Sequence, residues 1–243
     1  MTPPPAAGVR FIIRAPTRAR VGPQPERHRG RPAPISSGAV AMLDRDEREF
    51  VTRTATPERV QEFLDTLAYN WEPEGVSTLR SLRRVLRDRT AHCLEGAVAA
   101  AAILGHHGHR PWMLYMDALD ICHAAFLYCQ RDPSGRRLWG TVAMSRDENL
   151  KGRPPIYASL HDLTMSYYPH YWNSLTNDRN DLSLRGFSVI DLARFGLDLE
   201  TAEPDLLAIE DSLWRLRYRA LFPASPTRRN YRLVGQTTEI EWR

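Results

Sequence analysis

Thr90-Ala91-His92-Cys93-Leu94-Glu95-Gly96 joins an Arg-rich segment to the apolar run Ala97-Val98-Ala99-Ala100-Ala101-Ala102-Ile103-Leu104, which Gly105 closes. Alanine has the highest helix propensity, and small side chains let a helix approach its neighbours closely. The run therefore predicts a buried central helix from about Cys93 to Leu104, with Gly105 as its C-terminal stop. Cys93 falls in the first turn of that helix. Unpaired N–H groups and the positive end of the helix dipole stabilise a thiolate there, which makes Cys93 a candidate nucleophile. The alternative for any single cysteine is a buried structural thiol.

Downstream, Pro111 to Met116 reads as a strand, and an acidic turn with Asp117 and Asp120 follows. His123 then opens a second apolar run, Ala124 to Cys129, and the turn Asp132-Pro133-Ser134-Gly135 leads into Leu138-Trp139-Gly140-Thr141-Val142-Ala143. These runs predict a hairpin. A thiol at a helix N-terminus and a histidine on a following strand form the layout of a thiol catalyst whose base is held on a sheet. Cys122 precedes His123 directly, and alternation along a strand predicts that the two face opposite ways. Cys129 shares the His123 face but lies too far along an extended strand to pair with it.

With these features the chain resembles the transglutaminase-like superfamily, the cysteine-dependent branch of papain-like folds. The matching features are Cys93 opening a small-residue helix, the Gly-and-basic turn Gly105 to Arg110, His123 at a strand start and Trp139 in the next strand. More closely, it looks like a bacterial group with His-Cys-Leu/Ile-Glu-Gly-Ala before the helix and a Trp-Gly strand after the histidine. The resemblance spans roughly Leu79 to Asp191. It implies an α+β fold with a transglutaminase-like or papain-like core, in which the Cys-bearing helix packs on a small antiparallel sheet flanked by further helices. One departure stands out. The superfamily places an Asp a few residues after the Trp to orient the histidine, whereas here Gly140 to Ser145 carries no acid before Asp147. Ser145, Asp147 and Asn149 are the candidates for the third member of the triad, and its absence is the remaining alternative.

Upstream, Thr56-Pro57-Glu58 is an N-cap followed by Pro at the first helical position, and Val60, Phe63, Leu64 and Leu67 share one face of a helix expected to end near Asn70. A second helix capped by Ser77 or Thr78 is expected to turn Leu79, Leu82, Val85 and Leu86 inward and Arg80, Arg83, Arg84 and Arg87 outward. After the sheet, Ser159 to Tyr171 has helical spacing that Pro169 should kink or end. Thr176 to Ser183 reads as a polar connection, Arg185 to Leu192 as a strand, and Glu203 to Leu221 as a last helix. Tyr231 to Trp242 reads as a terminal strand or tail.

The composition is that of a globular protein, with 42% hydrophobic and 26% charged residues in 243. The net charge of +4 divides unevenly. Residues 1–40 hold seven Arg, eight of the 18 prolines and a single acid, Glu26, so the chain beyond them is net acidic. Residues 1–41 are expected to be a disordered Arg/Pro-rich extension, possible upstream sequence to a true start at Met42. Residues 42–223 are expected to form a single domain and 224–243 a C-terminal tail. The acidic balance argues against nucleic acid as a partner. No stretch is long and apolar enough to span a membrane, and three cysteines without framework spacing fit a reducing, cytoplasmic setting.

His106-His107-Gly108-His109, near His92 and Cys93 in sequence, lacks the paired-ligand spacing of a zinc site, and no acidic calcium loop stands out. Together these readings lead to a cysteine-dependent acyl-transfer enzyme acting on a peptide or protein amide. Cys93 would form a thioester and His123 would carry the proton, with neither metal nor organic cofactor required. The alternative is an inactive scaffold of the same fold that binds a peptide or protein partner.

Overall fold

The computed structural model describes residues 42–73, 76–174, 176, 178–213, 215–222, 231–234 and 239–242. The expectations for residues 1–41 lie outside them. Residues 42–222 fall in one compact unit. Its elements in order are α1 (Arg45–Arg53), α2 (Pro57–Asp65), β1 (Ala68–Tyr69), α3 (Leu82–Asp88), β2 (Thr90–Ala91), α4 (Cys93–Gly105), β3 (Trp112–Ala118), β4 (His123–Arg131), β5 (Arg137–Val142), β6 (Arg153–Tyr157), α5 (Leu160–Met165), β7 (Trp172–Asn173), β8 (Asp178–Leu182), β9 (Leu184–Asp191), α6 (Leu207–Leu213) and β10 (Arg219–Ala220). The fold is thus mixed α+β. Beyond it, β11 (Tyr231–Val234) and β12 (Glu239–Trp242) pair as an antiparallel hairpin in a separate unit.

Helix starts follow local chemistry. Asp44 accepts the Glu47 N–H while the Glu47 carboxylate accepts that of Asp44, a reciprocal cap on α1. Thr56 caps α2, with Pro57 at the position where a missing N–H costs nothing. The α2 helix stops at Asp65, short of Asn70, because Ala68 and Tyr69 pair in parallel with Thr90 and Ala91. Likewise α3 is capped by Ser81 rather than by Ser77 or Thr78. Leu79 and Arg80 lie before the helix, and Arg80 is buried instead of facing solvent.

The main sheet has the order β10-β9-β3-β4-β5-β6, antiparallel throughout. The helix α4 lies against β4, with α2 and α3 packed on α4. Val60, Leu64, Val98, Ile103, Met113 and Phe126 fill this layer, while Leu114, Met116, Leu127, Leu163, Tyr167 and Phe187 fill the opposite face beneath α5. Small residues give α4 its close approach. A Cβ added at Gly96 would lie 2.5 Å from the Met144 Cβ. The helix runs through Gly105, and the left-handed turn after it falls on Gly108, at φ +81°.

After the sheet, the helical spacing from Ser159 resolves into α5, capped by Ser159, and a 3-10 turn at Tyr168–His170 containing Pro169. The expected polar connection contains β8, paired with β7. The expected last helix is reduced to α6, since Arg219 and Ala220 join the edge of the sheet beside Phe187 and Gly186.

Under the N-terminus of α4 lies a buried ion pair. Glu95 has no exposed surface, and the Arg80 guanidinium grips it with Nε at 2.6 Å and Nη2 at 2.8 Å. Asn70, Thr78 and the backbone N–H groups of Arg80 and His92 complete its hydrogen bonds. Burial alone would raise the Glu95 pKa, but the Arg80 bond, the His92 charge and the Asn70 bond hold it down at about 2, against 4.5 for an ordinary Glu.

Two stability predictions follow from this packing. Gly96→Ala should lower unfolding free energy by roughly 1–3 kcal/mol through overpacking, seen as a lower urea midpoint with unchanged slope. Because the folded Glu95 pKa is depressed, its contribution is complete above about pH 4.5 and is lost as pH falls towards about 2. Glu95→Gln should therefore be less stable than the wild type at neutral pH, with a shallower loss of stability across that window in urea titrations.

Candidate active site

Cys93 is the first residue of α4, and His92 is its N-cap. As an N1 residue, Cys93 has no intrahelical acceptor for its own N–H, which remains available for an oxyanion. The thiol is partly exposed. Burial alone would push its pKa up, but the neighbouring His123 and His92 imidazoles outweigh it and bring the thiol down to about 5.

His123 opens β4 and is buried. The β4–β5 ladder ends where Phe126 meets Val142, so the β5 chain has left the sheet by the level of His123. That opening brings the His123 ring to the α4 N-terminus, although alternation groups His123 with Ala125 and Leu127 on the opposite face. On that face the ring packs edge-on to Tyr167, with centroids 6.2 Å apart. Its Nε2 lies 2.8 Å from the Leu150 carbonyl oxygen. A carbonyl only accepts, so Nε2 carries a proton and Nδ1 is left for the thiol.

Neither Ser145 nor Asp147 takes that position. The Ser145 hydroxyl accepts the Asp147 N–H, and the Asp147 carboxylate accepts the Asn149 N–H at the start of a 3-10 turn, Glu148–Leu150. Both side chains shape the loop that delivers the Leu150 carbonyl. Asn149 contributes its backbone oxygen to Arg153. A main-chain acceptor carries no residue signature, so sequence alone could not have singled out Leu150.

His92 was passed over in the sequence, although its spacing to Glu95 is that of a capping box. Its Nε2 donates to the Thr78 carbonyl at 2.8 Å and lies 3.5 Å from Glu72 Oε1. Burial works against a proton on this ring, but the bonds to Cys93 and Glu72 and the charges of Cys93 and Glu95 outweigh it and raise the His92 pKa. The Leu94 N–H also lies 3.2 Å from Nδ1, a bond only the neutral ring accepts. Two states are therefore available to His92: neutral, capping the helix, and protonated, facing a Cys93 thiolate. With Glu72 and Glu95 beside it, the protonated state prevails once the thiolate forms.

Cys122 precedes the first residue of β4, so the two-residue period does not apply to it. Burial chiefly raises its thiol pKa, and Cys93 is close enough to add to the rise; Tyr115 bonds it. Cys129 pairs across the sheet with Trp139 and lines a separate cavity of about 480 Å³ with His109, Arg110 and Trp112. The imidazoles of the His106–His109 turn diverge, His106 to Glu200, His107 to the Val51 carbonyl and His109 towards Phe126 and Tyr128.

The chain matches no protein-family model, and comparison with curated proteins finds no significant match. No helix among the described residues is long and apolar enough to cross a membrane.

The arrangement predicts a distinctive titration. Alkylation of Cys93 by iodoacetamide, followed by mass spectrometry, should have its midpoint near pH 5. His123→Ala should move that midpoint upward, while Cys122 reacts only above the range of an ordinary thiol. His92→Asn should also move the Cys93 midpoint upward, because Asn keeps the helix cap and removes the charge.

Proposed function

We propose that this protein is a cysteine-dependent acyl-transfer enzyme with a transglutaminase-like core, acting on a peptide or protein amide. The observation that carries the reading is Cys93 at the N-terminus of a buried helix, its thiol pKa lowered by His123, whose Nε2 is held by the Leu150 carbonyl. The thiolate attacks the amide carbonyl carbon, and the Cys93 N–H bonds the oxyanion that forms. The His123 imidazolium gives its Nδ1 proton to the leaving amine as the C–N bond breaks, leaving a thioester on Sγ. Neutral His123 then takes a proton from water, whose oxygen attacks the thioester, and the proton passes to Sγ as the acid is released. Hydrolysis needs no second binding site, and it is the reading preferred over transfer to an amine. The inactive-scaffold alternative drew its support from the missing Asp after Trp139; the bond of His123 to Leu150 supplies an orienting contact and weakens that argument.

The test uses a generic acyl donor, p-nitrophenyl acetate. A burst of nitrophenolate should accompany one acetyl group on Cys93, removable by hydroxylamine. Cys93→Ala should abolish the adduct, and His123→Ala should slow its formation by roughly 10²–10⁴-fold. Equal acetylation of wild type and Cys93→Ala would overturn the proposal.

A further inference from the structure

Beyond Cys93 and His123, one residue bonds both the loop and the aromatic wall that surround the histidine ring. Arg153, at the start of β6, sends Nη2 to the Asn149 carbonyl at 2.6 Å and Nη1 to the Lys151 and Gly152 carbonyls at 3.0 and 3.3 Å. The carbonyl it leaves out of this run is that of Leu150, which turns to His123 Nε2. Its Nε bonds the Ser166 hydroxyl at 3.2 Å and Nη2 the Ser166 carbonyl at 3.5 Å, tying the loop to the end of α5. The guanidinium carbon also lies over the Tyr167 ring, 4.1 Å from its centroid. Tyr167 in turn packs against His123 and bonds Thr141 Oγ1 through its hydroxyl at 2.7 Å. The Arg153 N–H bonds that same Thr141 oxygen at 3.0 Å. Arg153 thus braces both the acceptor for the His123 ring and the aromatic wall beside it.

We propose that Arg153 is the positioning residue of this site: it fixes the Asn149–Gly152 loop so that the Leu150 carbonyl accepts the His123 Nε2–H and Nδ1 is left facing Cys93. The inference rests on the reading of Cys93 and His123 as nucleophile and base. In the activating step the S–H bond breaks and its proton moves to Nδ1, while the other proton stays on Nε2, hydrogen-bonded to the Leu150 oxygen. Were Nε2 to lose that acceptor, the ring would be free to carry its proton on Nδ1, where it cannot take one from the thiol. A planar fork with several donors suits this task. A lysine ammonium is a point charge and cannot span three carbonyls and stack on a ring at once. Charged groups at this corner include Asp147, which caps the turn, and Lys151, paired with Asp65 at 3.1 Å and Glu148 at 2.8 Å.

The experiment follows the His123 tautomer and the Cys93 reactivity separately, on the full chain. In Cys93→Ala, ¹⁵N NMR of the neutral His123 ring should show the proton on Nε2. Adding Arg153→Met or Arg153→Lys should convert this to a mixture of the two tautomers. With Cys93 present, either Arg153 variant should lower its alkylation rate at pH 6 by about tenfold, a part of what a general base contributes. Arg153→Lys keeps the charge and the stem, so it carries the test if Arg153→Met does not fold. A single Nε2–H tautomer together with unchanged Cys93 alkylation in the folded Arg153 variants would overturn the proposal while leaving the acyl-transfer reading intact. An inert Cys93 in the wild type, with a tautomer that still depends on Arg153, would overturn the acyl-transfer reading and uphold the positioning.

Discussion

A carboxylate with no contact with solvent, Glu95, lies one turn into the central helix, and the architecture around the site depends on its being satisfied. Removing an ionised group from water costs several kcal/mol unless charge and hydrogen bonds replace the lost hydration. Here the replacement comes from Asn70 after β1, Thr78 and Arg80 from the segment before α3, and the His92 N–H. Three stretches of chain are thereby drawn to the same point. Arg80 is held in turn by Asp88 and by both oxygens of Thr90, so β2 and the end of α3 join the cluster. The N-terminus of α4, and with it the Cys93 thiol, has little freedom once these bonds are made.

That cluster also decides the sign of the field at the thiol. An unpaired Glu95 charge so close to Cys93 would oppose a thiolate; the Arg80 guanidinium offsets it, and the helix N-terminus and two imidazoles then dominate. The two imidazoles stand in different surroundings. His92 faces Glu72 and Glu95 and donates to Thr78, a setting that favours a retained proton. His123 meets the Leu150 carbonyl and the Tyr167 ring.

The sequence was most informative where chemistry is local. Thr56-Pro57, the alanine run after Cys93 and the Asp132–Gly135 turn each mark an element through short-range capping, propensity or turn geometry, and the elements stand where those signals put them. It was least informative where distant segments decide. Arg80 has the spacing of an exposed helical residue, yet it lies outside the helix and is buried because its partner is Glu95, and that pairing depends on tertiary packing. The α2 helix ends early for a similar reason, since Ala68 and Tyr69 are claimed by β2. Of the candidate site, Cys93 and His123 could be named from their places at a helix start and a strand start. Ser145 and Asp147 were sought as a side-chain partner for His123 because an acid is the usual solution; their side chains bond backbone N–H groups of their own loop instead.

The contact between His123 and the Leu150 oxygen has a consequence for how such a site would drift over time. Every residue type carries a carbonyl, so position 150 can change its side chain without discarding the acceptor, and ancestry would leave no invariant letter there. The constraint moves to whatever preserves the path of the main chain: the 3-10 turn at Glu148–Leu150, its Asp147 cap and the guanidinium that gathers the neighbouring carbonyls. A search for kin that demands an acid after the tryptophan would pass over a lineage of this kind. One that asks for a cysteine, a histidine and a short turn braced by an arginine would retain it.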